Sequence, residues 1–380
     1  MKKDLAILLG TIVTSIAFVM ELTLLPLLLG AIQQEFSLSL SELSWVFNAY
    51  AFTIALAVIT GGLIGDMVNR QMLFLVGGLL FATGSILAAI SSDLQTLIIS
   101  RAIQGFGGGL FSPLVPILLT QSDSRRSGKI LMIWGGLAGI AATSLPLFGN
   151  TILMNFGWRT VFYLFALVSL AGVILLALAS SRTEVNLRHG IPSLENLRSL
   201  RGLQFVLFYI FLTYGCFTYF LFNFSIQLQQ NGFSTPFISV FLTSGWASFS
   251  TFSFVLKDRI DGVGLYRCLI AAPVLLALAF AVGITFSEHH FAQITSAILA
   301  GAGLACSNSP STHLLLRLAP GHLQVFASSL DIIFARCGGV VTVALLSGVA
   351  PSQALFAIVT LTALAFVCAQ NFIRLEHKRS

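Results

Sequence analysis

Leu5–Ile32 reads LAILLGTIVTSIAFVMELTLLPLLLGAI, an apolar run interrupted by one charge, Glu21. It is too long for the apolar core of a signal peptide and has no small-x-small cleavage site, so it reads as a first membrane helix. The same texture recurs along the chain. Apolar stretches fall at 5–30, 43–65, 72–92, 95–120, 129–152, 160–181, 203–225, 235–256, 267–286, 290–312, 323–348 and 352–373. Each is close to the roughly 20 residues that cross a bilayer as a helix.

Composition points the same way. Of the 380 residues, 56% are hydrophobic and only 9% charged, against about 25% charged in soluble chains. Mean hydropathy is +0.93. Spans must be helical, because lipid offers no partner to an unpaired backbone group. The fold class expected is therefore an all-α membrane protein of twelve transmembrane helices in two six-helix halves. The polar stretch 182–202 divides them, giving an N-terminal half 1–181, a cytoplasmic linker 182–202 and a C-terminal half 203–380. Short loops leave no room for a soluble domain. The five cysteines, Cys216, Cys268, Cys306, Cys337 and Cys368, lie in or at the ends of apolar segments. They read as small buried hydrophobes, with no metal site.

The basic residues orient the spans. With the N-terminus inside, 17 of the 20 lysines and arginines fall in cytoplasmic segments and only Arg159 lies outside. This positive-inside bias predicts a multi-pass protein of the cell membrane (the inner membrane, where there are two) with both termini cytoplasmic. It also explains the formal charge of +6 without nucleic acid. A weak internal symmetry supports the division: Gly65-Asp66-Met67-Val68-Asn69-Arg70 follows the second span, and Lys257-Asp258-Arg259-Ile260-Asp261-Gly262 follows the eighth. Two halves with related inner loops suggest a transporter with its site between them, near the midplane.

Several motifs resemble the major facilitator superfamily, and within it the drug:proton antiporters. Gly62-Leu63-Ile64-Gly65-Asp66-Met67-Val68-Asn69-Arg70 is similar to the family's loop between the second and third spans, with Asn69 for the usual glycine and Met67 for a basic residue. The resemblance implies a cytoplasmic latch at Asp66 and Arg70. Arg101-Ala102-Ile103-Gln104-Gly105-Phe106-Gly107 matches the fourth-span pattern R-x-x-Q-G-x-G, whose glycines permit close helix packing. Pro146 and Gly149 match the antiporters' fifth-span motif G-P-x-x-G-G, from which Leu145 and Asn150 depart; they are expected to gate or pack that span. Gly157-Trp158-Arg159-Thr160-Val161-Phe162 matches W-R-x-x-F and predicts an interfacial anchor, Trp158 among the headgroups and Arg159 outward. Met20-Glu21-Leu22-Thr23 stands where related exporters carry L-D-x-T.

Four charges fall within spans: Glu21, Arg101, Asp331 and Arg336. Charge inside a bilayer is expensive and marks function or pairing. Glu21 is 16 residues past Leu5, and Arg101 is 19 before Thr120. At about 1.5 Å per residue their depths agree within about a turn, so they can meet. Desolvation favours a neutral carboxyl there and a nearby arginine favours the charged form, which suits either a proton carrier or a permanent ion pair. Asp331 and Arg336 are five apart, about 140° around a helix, and are not expected to pair with each other. Asp331 is either a second coupling group or the partner of a neighbouring helix.

Proton coupling is therefore assigned to Glu21, Arg101 and Asp331. The substrate cavity implied by the resemblance comprises Glu21, Thr23, Asn48, Tyr50, Gln104, Phe217, Phe220 and Arg336. The aromatic run Phe217, Tyr219, Phe220, Phe222 and Phe224 faces lipid, packs, or forms an apolar wall for a drug-like ligand. The partners implied are a small-molecule substrate, protons and the lipid bilayer, with the chain acting as a monomer and needing no cofactor. The function expected is proton-coupled export of small organic molecules, drug-like compounds or a metabolite such as a siderophore. An importer or facilitator of the same fold is the alternative, and a sensor or scaffold a third. No Walker A sequence, HExxH or GxSxG occurs, which argues against an enzyme and against ATP drive by this chain.

Overall fold

The computed structural model describes residues 2–64, 69–120, 127–179, 203–256, 263–318 and 324–377. The linker 182–202, Asp66 and the segment 257–262 lie outside them. Every regular element among the described residues is helical. In chain order these are α1 (Lys2–Phe36), α2 (Leu40–Ile64), α3 (Arg70–Ala89), α4 (Leu94–Phe111), α5 (Val115–Thr120), α6 (Ser127–Phe156), α7 (Trp158–Ala179), α8 (Leu203–Gln230), α9 (Thr235–Leu256), α10 (Val263–Thr285), α11 (His290–Leu318), α12 (Gln324–Leu346) and α13 (Pro351–His377). A 3-10 turn at Ser112–Leu114 joins α4 to α5, so the pair makes one span. The twelve apolar stretches thus correspond to twelve helical spans among the described residues. Nine helices there are long and apolar enough, by length and composition alone, to cross a membrane.

Short polar signals set the helix boundaries. Ser39 and Glu42 form a reciprocal capping box at the start of α2, at 2.9 and 3.3 Å. Asp93 caps α4 by accepting from the Thr96 N–H at 2.8 Å. Hydrogen bonds from the Thr96 backbone and hydroxyl hold the Asp93 carboxyl below the usual carboxylate range. The prolines inside α1, α6, α10 and α11 do not end those helices. Neighbouring helices and side chains stabilise such breaks in membrane bundles.

The chain divides into two compact units, Met1–Ile191 and Pro192–Ser380. The same helix pairs pack in each. In the first, α1 packs on α6 and α7, α2 on α4, and α3 on α4 and α7. In the second, α8 packs on α12 and α13, α9 on α11, and α10 on α11 and α13. Span for span these are equivalent contacts. Two turns repeat as well. After α1, Leu38 N–H reaches the Gln33 carbonyl at 3.0 Å around Ser37, whose φ is +53°. After α8, Phe233 N–H reaches the Leu228 carbonyl at 2.9 Å around Gly232, φ +81°. Both are Schellman caps, which need a left-handed residue just past the helix.

Helix α4 is the densest contact of the first unit. Arg101, Gly105 and Gly109 are one turn apart, and so are Val46, Tyr50 and Ile54 on the parallel helix α2. A methyl on Gly105 would lie 2.3 Å from the Tyr50 carbonyl oxygen, and one on Gly109 2.5 Å from that of Ile54. On another side, a methyl on Gly107 would lie 2.3 Å from the Phe81 nitrogen of α3. Backbone atoms cannot step aside, so these glycines fix the interhelical distances. Gly107→Ala is expected to destabilise the protein by about 1–3 kcal/mol, as overpacking does. Gly61→Ala, whose added methyl would meet only Leu110 at 3.7 Å, is expected to be neutral or better. Thermal unfolding of the two variants in detergent checks this.

Candidate functional site

The site in the first unit is organised around Arg101. Its side chain is 0% exposed and that of Glu21 2%. A guanidinium carries five N–H donors in a planar fork, and four elements satisfy it here. One terminal nitrogen donates to Glu21 Oε1 of α1 at 2.5 Å. The other donates to Gln104 Oε1 one turn on. Nε donates to the Val46 carbonyl of α2 at 3.1 Å. The guanidinium carbon lies 4.4 Å from the Tyr50 ring centroid and 5.7 Å from that of Phe162 on α7. Gln104 Nε2 passes the chain to Ser85 of α3 at 2.9 Å, and Ser85 donates to the Phe81 carbonyl at 2.7 Å. Ser85 uses its proton on Phe81, so it can only accept from Gln104. That fixes the amide with its oxygen toward Arg101.

Of the residues assigned from sequence, Glu21, Tyr50, Arg101 and Gln104 converge in this network. Thr23 is buried, and its hydroxyl bonds to Val19 and Met20 carbonyls of its own helix at 2.8 and 3.2 Å. Asn48 is buried on α2. Gly149 of α6 stands against α1, where an added methyl would lie 2.3 Å from Leu24 Cδ2. Pro146 lies inside the same helix. Arg70 is exposed at the start of α3.

The Trp158–Arg159 pair is tied into the protein by a shared acid. Trp158 is 4% exposed and donates its indole N–H to Glu35 at 2.7 Å. Arg159 pairs with the same carboxylate at 2.6 Å and donates to the Ser91 carbonyl at 2.9 Å. Its guanidinium also stacks 4.3 Å from the Trp158 ring centroid. This acid, at the C-terminal end of α1, links α1 to α7, and Arg159 carries the link on to Ser91 after α3. Sequence reading missed Glu35, because nothing local links it to residues more than a hundred positions away.

In the second unit Asp331 of α12 is 8% exposed. It accepts from the Thr312 hydroxyl of α11 at 2.5 Å, and among the described residues it forms no ion pair. The Thr312 hydroxyl also lies 3.1 Å from the Asn308 carbonyl, a second acceptor for the same proton, and Tyr214 of α8 donates to the Asn308 side chain. Thr213 and Ser307 share a hydrogen bond of 2.7 Å. The interruption of the tenth span, Ser307-Asn308, is therefore a polar seam joining α8, α11 and α12. Arg336 is half-buried one turn beyond Asp331. The aromatic run of α8 packs inward: Phe217, Tyr219, Phe220, Phe222 and Phe224 are all buried. Phe220 lies 4.4 Å from Phe224 and 5.6 Å from Phe241 of α9 between ring centroids.

A multi-pass helical protein with a repeated six-span unit and a fully buried carboxylate–guanidinium pair has the architecture of a secondary transporter. A family model described as Major Facilitator Superfamily matches residues 7–343, and the chain belongs to that family. Its fold and relatives are those of transporters, not enzymes. The Tetracenomycin C resistance and export protein of Streptomyces glaucescens is 30% identical over 168 residues, 43% of this chain and 31% of that protein. The Methylenomycin A resistance protein of Bacillus subtilis (strain 168) is 29% identical over 168 residues, 43% of this chain and 36% of that protein. The matched segment thus spans about a third of the length of these curated relatives. Among solved structures, that of the nucleoside transporter NupG superposes with a TM-score of 0.76 at 13% identity, covering 98% of this chain and 99% of that one. An auto-inhibited POT family peptide transporter gives 0.75 at 13% identity, covering 100% and 97%. These two likenesses show the fold alone.

Removing one partner of a buried ion pair leaves the other charge uncompensated. Arg101→Met is expected to cost about 3–5 kcal/mol of stability. The double variant Glu21→Gln/Arg101→Met should recover much of that loss. Thermal unfolding of both decides it; equal destabilisation would show that the two charges do not act as a pair.

Proposed function

We propose that this chain is a proton-coupled exporter of small organic molecules, drug-like compounds or a metabolite such as a siderophore, working by alternating access. The observation that carries this reading is the Glu21–Arg101 pair, which is fully buried and held by four helices. A permanent brace would keep this pair closed throughout the cycle. An acid whose counter-charge can be drawn away is a proton site. In the proposed cycle a substrate or an opening movement withdraws the guanidinium, and a proton takes its place on the carboxylate. Substrate and proton then exclude one another, which is the requirement for antiport. Two relatives named for resistance to antibiotics, one of them also for export, support an outward direction.

Asp331 supports a second reading, in which the coupling acid lies in the second unit. Its hydrogen-bond partner is a neutral hydroxyl and it forms no ion pair among the described residues. Proteoliposomes with an imposed pH gradient, loaded with organic cations, neutral drugs or chelators, separate the two. Glu21→Gln keeps size and hydrogen bonding but cannot titrate. It is expected to retain ligand binding and to lose gradient-driven flux, with Asp331→Asn retaining it. Wild-type pH dependence in Glu21→Gln moves the coupling to Asp331.

The orientation proposed places both termini in the cytoplasm. A cysteine introduced at Gly190 is expected to be shielded from an impermeant thiol reagent added outside intact cells, while one at Asn231 labels. The opposite pattern inverts the topology.

A further inference from the structure

Hydroxyls inside these helices have a standard partner, the carbonyl three or four residues back. Thr14, Thr53, Ser100, Thr213 and Ser225 all use it. Helix α9 breaks the pattern. Ser244 bonds to the Val240 carbonyl and Ser248 to Ile298 of α11. Yet the side-chain polar atoms of Thr243, Trp246, Ser250 and Ser253 are buried with no hydrogen-bond partner. Steps of three, four and three residues place all four on one face of the helix. That face borders the one that packs on α11: Trp246 shares a small void with Ala297 and Ala300, and a methyl on Gly301 would lie 2.0 Å from the Gly245 carbonyl oxygen. Trp246 is 6% exposed, and an orphaned donor in such a place is a liability of about 1–3 kcal/mol. The indole N–H calls for an acceptor, and the three hydroxyls beside it can donate to or accept from the same occupant.

We propose that this face of α9 is a ligand-binding strip for planar, neutral, polycyclic aromatic compounds bearing carbonyl oxygens, with Trp246 Nε1 as the principal donor. The chemistry of the strip selects that class. The indole N–H only donates, so the ligand atom opposite it is an acceptor. No residue of α9 is ionisable, so the strip itself supplies no counter-charge to a carboxylate or an ammonium. Phe217 and Phe249 stand edge-on to Trp246, at 6.0 and 5.9 Å between centroids, and offer rings for stacking. Thr243 and Ser253 are ten residues apart, about 15 Å along the axis, which suits an elongated ring system. The void behind the indole, lined by Phe217, Phe220 and Phe241, measures about 10 Å³, room for no more than a water. The ligand therefore lies along the helix face and reaches the donors when that face is uncovered. The inference rests on the transporter reading for its purpose, but not on proton coupling.

The test uses the full chain in lipid nanodiscs at constant pH without a gradient. The probes are 9,10-anthraquinone and anthracene, which share a ring shape and differ in carbonyl oxygens. Equilibrium dialysis is expected to show tighter binding of the quinone. Trp246→Phe, which keeps a ring and removes the N–H, should weaken the quinone about tenfold, one lost hydrogen bond, and leave anthracene unchanged. Infrared difference spectra of 18O-labelled quinone should show the carbonyl stretch lowered in the wild-type complex and returned toward its free value in the variant. Thr243→Val/Ser250→Ala/Ser253→Ala should weaken the quinone further, and decides the matter with the wild-type spectrum if Trp246→Phe does not fold. No quinone binding to the wild type, equal loss of both probes in Trp246→Phe, or an unshifted carbonyl band in the wild type overturns the strip. Intact binding without gradient-driven flux overturns the proton-coupled export reading alone.

Discussion

Hydrocarbon offers no partner to a hydrogen-bonding group, and most of what is seen in this protein follows from that. Backbone groups close on themselves as helices. Hydroxyls fold back onto their own helix, as Thr14, Thr53 and Thr362 do. A guanidinium has no such local solution, because its fork is too wide for one helix to satisfy. Arg101 therefore gathers α1, α2 and its own helix directly, and α3 through Gln104 and Ser85.

Close approach and charge pairing depend on each other in this bundle. Arg101 reaches the Val46 carbonyl because Gly105 and Gly109, one and two turns on, let α2 and α4 come together at Tyr50 and Ile54. With side chains at those glycines the helices would stand further apart, and the Nε–H would lose its acceptor. The ion pair in turn adds a polar link from α4 to α1 beside the one that Gln104 makes to α3. A single short motif thus carries both the spacing and the charge. The C-terminal end of α1 repeats the logic in a more exposed setting, where Glu35 collects Trp158 and Arg159, and Arg159 collects Ser91.

The two units share their helix pairings and their Schellman turns, yet differ in polar interior. The first closes its charges internally. The second places a carboxylate, Asp331, against a hydroxyl and leaves a row of donors on α9 unmatched. Repetition of a fold with divergence of its polar groups is how one architecture serves many cargoes.

The sequence by itself determined the twelve spans, because hydrophobic length and helix breaks are local quantities. It also determined that Arg101 and Glu21 lie at similar depth, because rise per residue is fixed. It did not determine which groups touch. Trp158 reads as a headgroup anchor because aromatic residues at span ends usually are; only the packed structure brought Glu35 against it. Thr23 looked available until its hydroxyl was seen on its own backbone. The spacing of Thr243, Trp246, Ser250 and Ser253 was legible as one helix face, but that their polar atoms are buried without partners was not. Partnership is a property of neighbouring helices, and those are brought together by tertiary packing across long sequence separations that no local pattern encodes.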